Sequence, residues 1–194
     1  TSMVGIKGAG AASRAVRGTG ESIVRRTAAG ATGTGVAALG DGTNSVSATG
    51  LTTGTLVVTG GSGVDTVSTG AAATTGSITF TAGAGNDVFN LSDATGANTV
   101  TFTGGEGDDT VKLITDLDGG TYTLNFGDGT GDILDMTTRD DNLSADSITA
   151  TGLDIIKMDH ATADVLNATV LNGKTLTVQG DGGASDLLGV TATT

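Results

Sequence analysis

Gly60-Gly-Ser-Gly-Val-Asp-Thr-Val-Ser68, Ala82-Gly-Ala-Gly-Asn-Asp-Val-Phe-Asn90 and Gly104-Gly-Glu-Gly-Asp-Asp-Thr-Val-Lys112 are three copies of one nine-residue phrase, each starting 22 residues after the last. The first and third fit G-G-x-G-x-D-x-U-x, with U a large apolar residue, and the second departs only at Ala82. Weaker copies flank them. Upstream, Leu39-Gly-Asp-Gly-Thr-Asn-Ser-Val-Ser47 has Asn44 where the Asp belongs; downstream, Phe126-Gly-Asp-Gly-Thr-Gly-Asp-Ile-Leu134 begins 22 residues after Gly104. A fixed period of this length marks a chain built of stacked, equivalent units.

The composition of the phrase suits a turn that wraps its own backbone around a cation. Glycine reaches φ > 0 and lets backbone approach backbone, so carbonyl oxygens can converge. The Asp adds carboxylate oxygens, and calcium, a hard cation, takes about six to eight oxygen ligands. Stacking the coils puts Asp65, Asp87 and Asp109 in one column, with Asp41, Glu106, Asp108, Asp128 and Asp132 nearby. The expected metal site comprises these aspartates with the turn glycines Gly61, Gly63, Gly83, Gly85, Gly105 and Gly107. The same residues would also serve a metal-free ladder of Gly/Asp turns, since both are ordinary turn formers.

Just before each turn lies a stretch of alternating character: Thr55–Thr59, Ser77–Thr81, Thr99–Thr103 and Thr121–Asn125. Period two predicts strands with Leu56, Val58, Ile78, Phe80, Val100, Phe102, Tyr122 and Leu124 inward and mostly threonine outward. A second strand after each turn is expected to send Val67, Phe89, Leu91, Val111, Leu113 and Ile133 inward. Two strands and two turns complete a coil of about 22 residues. The opposite turns lack the phrase, and only Asp93, Asp116 and Asp118 offer carboxylates there. The expected fold is all-β, a right-handed parallel β-solenoid with metal along one edge.

Composition agrees. Thirty-four glycines with no proline, cysteine or tryptophan in 194 residues leave little for a conventional core, and the recurring apolar spacing favours a solenoid over disorder. Without cysteine there are no disulfide staples. A net charge of −12 excludes nucleic acid as an expected partner and fits carboxylates balanced by cations. No apolar run of about 18 residues is available to span a membrane. The opening residues do not form a secretion signal, so export is expected after signal removal or by another route.

Charge divides the chain. Residues 1–35 carry Lys7, Arg14, Arg17, Arg25 and Arg26 against Glu21, whereas 36–194 hold four basic and twenty acidic side chains. We expect a basic N-terminal arm over 1–35, with short helical pieces at Ala11–Arg17 and Ser22–Ala29, docking through its five cations on a neighbouring copy or on anionic surface polysaccharide. Residues 36–135 form the regular roll. Residues 136–194 read as irregular coils and a cap, with strands at Ser147–Thr151, Asp154–Met158, Val165–Asn167 and Thr175–Val178 and a terminal turn at Gly180–Gly183. A cap is needed because open strand edges pair with other chains.

At its nonapeptides, over Leu39–Leu134, the sequence resembles the repeats-in-toxin (RTX) group of secreted calcium-binding proteins. Its Thr/Ala/Gly-rich coils look like those of bacterial surface-layer proteins and adhesins. The resemblance implies type I export, folding on meeting external calcium and assembly of copies into a lattice on the cell surface. The 22-residue spacing departs from the toxin pattern, which repeats the phrase about every nine residues and calcifies both edges.

Enzymatic activity is not expected: one histidine, His160, no cysteine and no H-E-x-x-H leave no residues for zinc-protease chemistry. The expected function is that of an exported structural protein that folds on calcium and self-assembles into a surface layer or filament. The alternative is an ice-binding or adhesin module using the Thr-x-Thr face.

Overall fold

The computed structural model describes residues 24–26, 31–48, 51–70, 75–92, 98–115, 117, 119–138, 147–158, 165–171, 175–180 and 187–192. Among the described residues sixteen strands run in chain order and alternate between two sheets. The first sheet holds β1 (Val24–Arg26), β3 (Asn44–Ala48), β5 (Asp65–Thr69), β7 (Val88–Leu91), β9 (Thr110–Leu113), β11 (Ile133–Asp135), β13 (Ile155–Lys157) and β15 (Thr177–Gln179). The second holds β2 (Ala31–Ala38), β4 (Leu51–Thr59), β6 (Thr75–Ala84), β8 (Thr99–Glu106), β10 (Thr121–Gly127), β12 (Ser147–Thr151), β14 (Val165–Leu171) and β16 (Leu187–Ala192). Neighbours are parallel throughout, and no helix occurs among the described residues, so the chain is a parallel β-solenoid of about 22 residues per coil.

Alternation drives the coil. In β8 and β10 every second side chain is buried, and Val100, Phe102, Tyr122 and Leu124 point into the space between the sheets as the spacing predicts. Register then stacks like on like: Ile78 pairs with Val100 and Phe80 with Phe102. The result is a column of rings, with Phe80–Phe102 centroids 5.7 Å apart and Phe102–Phe126 5.6 Å, while Phe89 reaches across from the first sheet to within 5.7 Å of Phe80. Edge-to-face and offset contacts of this kind add to the burial of the rings themselves.

One strand differs from its expectation. Leu134, not Ile133, is the buried residue of β11, because Leu134 pairs with Val111 and Ile133 with Thr110. The turn before it holds one extra residue: Thr130 and Gly131 both turn their amides to Oδ1 of Asp108, at 3.0 and 2.9 Å, which absorbs the insertion and moves the strand by one. A shift of one residue exchanges the faces of a strand.

The expected arm also needs correction where it is described. Val24–Arg26 is a strand paired with Ser45–Ser47, not part of a helix, and Ala31–Ala38 is the first described strand of the second sheet, crossing the boundary expected at residue 35. An isolated helix shorter than about 12 residues is marginal in water, whereas β3 offers these amides and carbonyls a waiting edge. The helix expected at Ala11–Arg17 lies outside the described residues.

Beyond Met136 the sheets keep their order. Thr121 pairs with Ser147 at a longer interval and Ile148 with Ala168 at a shorter one, while Ile133 pairs with Ile155 and Val165 with Leu187 at the regular one, so parallel pairing persists where the spacing varies. Strand β16 had no counterpart in the expected pattern, and of the expected terminal turn only Gly180 is described.

Candidate functional site

The phrase folds into the turn from the second sheet to the first, and its glycines stack coil on coil. A Cβ on Gly83 (φ +117°) would lie 2.2 Å from the carbonyl oxygen of Gly61, and one on Gly105 (φ +122°) 2.0 Å from that of Gly83. Gly63, Gly85 and Gly107 form a second such ladder. No other residue allows both the left-handed backbone and that approach. The turn backbones are also laced together, with the Ala84 amide on Gly61 O at 2.9 Å and the Asp128 amide on Gly105 O at 2.9 Å.

Inside this edge the sixth-position side chains form a buried column. Oδ1 of each carboxylate accepts the main-chain amide of its equivalent one coil earlier: Asp65 N to Asp87 at 2.6 Å, Asp87 N to Asp109 at 2.8 Å and Asp109 N to Asp132 at 2.8 Å. Asp65, Asp109 and Asp132 have 0% exposure and Asp87 1%, so solvent does not stabilise their charge. At the upstream end Asn44 donates through Nδ2 to Asp65 Oδ1 at 2.7 Å and to the carbonyls of Gly40 and Gly42. At the downstream end Asp154 Oδ2 accepts the Asp132 amide at 3.2 Å. Asp154 extends the column beyond the expected set. Its signal was the Gly152-x-Asp154 remnant, 22 residues after Asp132.

The second oxygen of these carboxylates is used differently. Asp87 Oδ2 and Asp109 Oδ2 are buried with no hydrogen-bond partner. A Cβ on Gly104 would fall 2.0 Å from Asp109 Oδ2 and 2.4 Å from the Phe126 carbonyl oxygen; at Gly60 the corresponding oxygens are Asp65 Oδ2, 2.3 Å away, and Ala82 O, 2.0 Å away. Carboxylate and carbonyl oxygens of adjacent coils therefore converge beside a bare glycine Cα. Burial pushes the Asp87 carboxyl up to about 6, offset in part by the Asp65 amide and reinforced by the Asp65 charge. Burial also takes Asp109 to about 7, with Asp87, Asp132 and Asp108 adding repulsion. Asp65 is raised too, again by burial, against the hydrogen bonds from Asn44 and Gly61.

The remaining expected carboxylates are not in this column. Asp41, Glu106, Asp108 and Asp128 stand exposed on the outer rim of the turns. Asp41 Oδ1 accepts the Ser62 hydroxyl at 2.8 Å and its amide at 3.2 Å, which lowers its pKa. The Asp108 amide donates to Asn86 Oδ1 at 3.0 Å. These rim contacts tie coil to coil in a second ladder. Among the described residues no three acidic or histidine side chains converge as a metal cluster, so a cation here would draw on pairs of carboxylates and on backbone carbonyls. That donor set, all hard oxygen with two orphaned carboxylate oxygens, fits calcium rather than a metal held by nitrogen or sulfur.

On the opposite edge Thr69 and Ser92 close the coils: Thr69 Oγ1 donates to Ser92 O at 3.0 Å and accepts the Ser92 amide at 2.9 Å. Asp93, Asp116 and Asp118 lie outside the described residues, as do Lys7, Arg14, Arg17 and His160; Arg25 and Arg26 belong to β1. The chain matches no protein-family model, no curated protein and no solved structure.

Proposed function

We propose that this chain is an exported structural protein of the RTX kind, which folds around calcium on its turn edge and assembles with copies of itself into a surface layer or filament. The observation that carries the reading is the column itself: Asp87 and Asp109 are buried, adjacent and each left with one unpartnered oxygen. Buried charge is costly unless compensated, and these carboxylates instead repel one another. Neighbouring pairs among Asp65, Asp87, Asp109 and Asp132 would hold each ion together with carbonyl oxygens of the glycine turns. Bound calcium supplies the positive charge that the column lacks.

The division of labour between oxygens gives the order of events. In Asp87 and Asp109, Oδ1 ties the carboxylate to the coil before it and fixes its position, leaving Oδ2 to bind. Extracellular modules bind calcium at about 10⁻⁴ to 10⁻³ M, so millimolar external calcium contributes on the order of 1 kcal/mol or more per site by mass action. Low cytosolic calcium keeps the −12 chain loose until export. The basic residues Lys7, Arg14, Arg17, Arg25 and Arg26 would then meet the acidic rim of a neighbour or an anionic surface polysaccharide, and no catalysis is assigned. Calorimetric titration of the chelator-treated chain tests the reading: saturable calcium uptake that falls in Asp87→Asn and not in Thr123→Ala supports it, and no uptake refutes it.

A further inference from the structure

The eight strands of the second sheet carry a single charged residue, Glu106, at the last position of β8. In a chain with 21 acidic and nine basic side chains this is a strong segregation. The strands of the first sheet hold Arg25, Arg26, Asp65, Lys112, Asp135 and Lys157, with Lys112 Nζ 3.7 Å from Asp135 Oδ2 on its outer face. Exposed carboxylates line the turn edge, as above.

The outer face of the second sheet is instead an array of hydroxyls. Thr79, Thr101, Thr123 and Thr149 form its central column, in register from strand to strand, and the columns on either side run from Thr55 and from Thr59. Val57 and Asn125 interrupt the pattern, as does Val36, 41% exposed, beside Val57 on β2. Threonine is stiff at χ1, so ordering it loses little entropy. Its hydroxyl both donates and accepts, so such a ladder is complementary to a copy of itself.

We propose that this face is the surface on which two copies of the chain pack, sheet against sheet. The proposal rests on the assembly reading and names its contact. Like-charged chains repel wherever their charged surfaces meet, and among the described residues this face is the broad surface on which two −12 chains can meet with almost no charge between them. An isologous contact needs only one self-complementary patch. Size agrees as well. Eight rungs at about 4.8 Å and strands about 20 Å long give roughly 750 Å² per copy, close to the approximately 800 Å² per partner of a stable interface.

The chain has no cysteine, so a single introduced thiol reports its own surroundings. Thr123→Cys places one at the centre of the hydroxyl array, and Ser68→Cys places one on the outer face of the first sheet. Each variant is reacted with a maleimide as monomer and after calcium-induced assembly, with sedimentation confirming the state. We expect at least tenfold slowing on assembly at Thr123→Cys and a smaller change at Ser68→Cys. In parallel, Thr101→Lys/Thr123→Lys should fold with calcium as the wild type does, by far-UV circular dichroism, yet need at least tenfold more protein to assemble. Assembly with the Thr123→Cys thiol no better protected than the Ser68→Cys thiol overturns the proposal and leaves the assembly reading standing. A wild type that binds calcium but stays monomeric overturns both. Thermal hysteresis that Thr123→Lys abolishes, with assembly intact, assigns the face to ice and also overturns the proposal.

Discussion

Asp87 and Asp109 hold equivalent places in successive coils, and the amide of Asp87 donates to Oδ1 of Asp109 at 2.8 Å, leaving Asp109 Oδ2 buried and unpartnered. The same side chain therefore serves the backbone with one oxygen and, on the proposed reading, offers the other to calcium. The two roles are separable by substitution.

Asp87→Asn keeps an oxygen for the Asp65 amide and removes the charge. Without calcium it should be as stable as the wild type or more so, because the buried charge is gone; with millimolar calcium it should lag by about 1 kcal/mol or more. Asp87→Ala orphans the Asp65 amide and should lose roughly 1–3 kcal/mol under both conditions. Urea midpoints with chelator and with calcium give all four values. Equal behaviour of the two variants would contradict the division of roles.

The raised carboxyls set a pH dependence whose sign is unusual for aspartate. An unfolded Asp titrates near about 3.9, whereas burial holds Asp87 near about 6 and Asp109 near about 7. Between these limits the folded chain binds more protons than the unfolded one, so stability falls as pH rises. Asp135 acts in the other sense but outside that window: burial there is outweighed by hydrogen bonds from Thr137 and the charges of Lys112 and Lys157, its pKa is lowered, and its contribution is lost only in more acid solution. In chelator, the urea midpoint should drop between pH 5 and pH 7.5, two values spanning the raised carboxyls, and millimolar calcium should abolish the drop. A midpoint that rises over this range in chelator would contradict the buried column.

Glycine is needed at Gly105 for two reasons and at Gly119 for one. Gly119 (φ +75°) has open space where a Cβ would go, so Gly119→Ala should cost only the roughly 1–2 kcal/mol of the left-handed backbone. Gly105→Ala adds a contact 2.0 Å from the Gly83 carbonyl oxygen and should prevent folding even with calcium. Thermal unfolding of the two variants checks the difference.

In the ring column, Phe102 touches Phe80, Phe89 and Phe126 and is fully buried. Phe102→Ala should cost about 3–5 kcal/mol, against a few tenths for Thr101→Ala on the outer face. A similar loss for both would mean that the alternation of β8 does not decide burial.

Much of this was legible because the repeat works at single-residue resolution. Leu56 through Leu124 face inward as period two requires, and the nonapeptide places Asp65, Asp87 and Asp109 in one column. Reading failed where the count changed. Asp132 stands 23 residues after Asp109, and the insertion before it carried Ile133 to the outer side and Leu134 to the core. Asp154 was overlooked because its turn keeps only Gly152 (φ +74°) of the phrase, yet a buried amide still needed an acceptor there. Rim residues Asp41, Asp108 and Asp128 share the glycine turns, but their odd positions in the phrase point outward, which proximity in sequence does not reveal.

The most direct test is a calcium titration of the chelator-treated chain, followed by far-UV circular dichroism and sedimentation velocity on the same samples. The account predicts that β-structure forms at submillimolar to millimolar calcium and that large species follow it. A chain with full β-structure in chelator, unchanged and monomeric as calcium is added, would contradict it, and the glycine turns would then be turns alone.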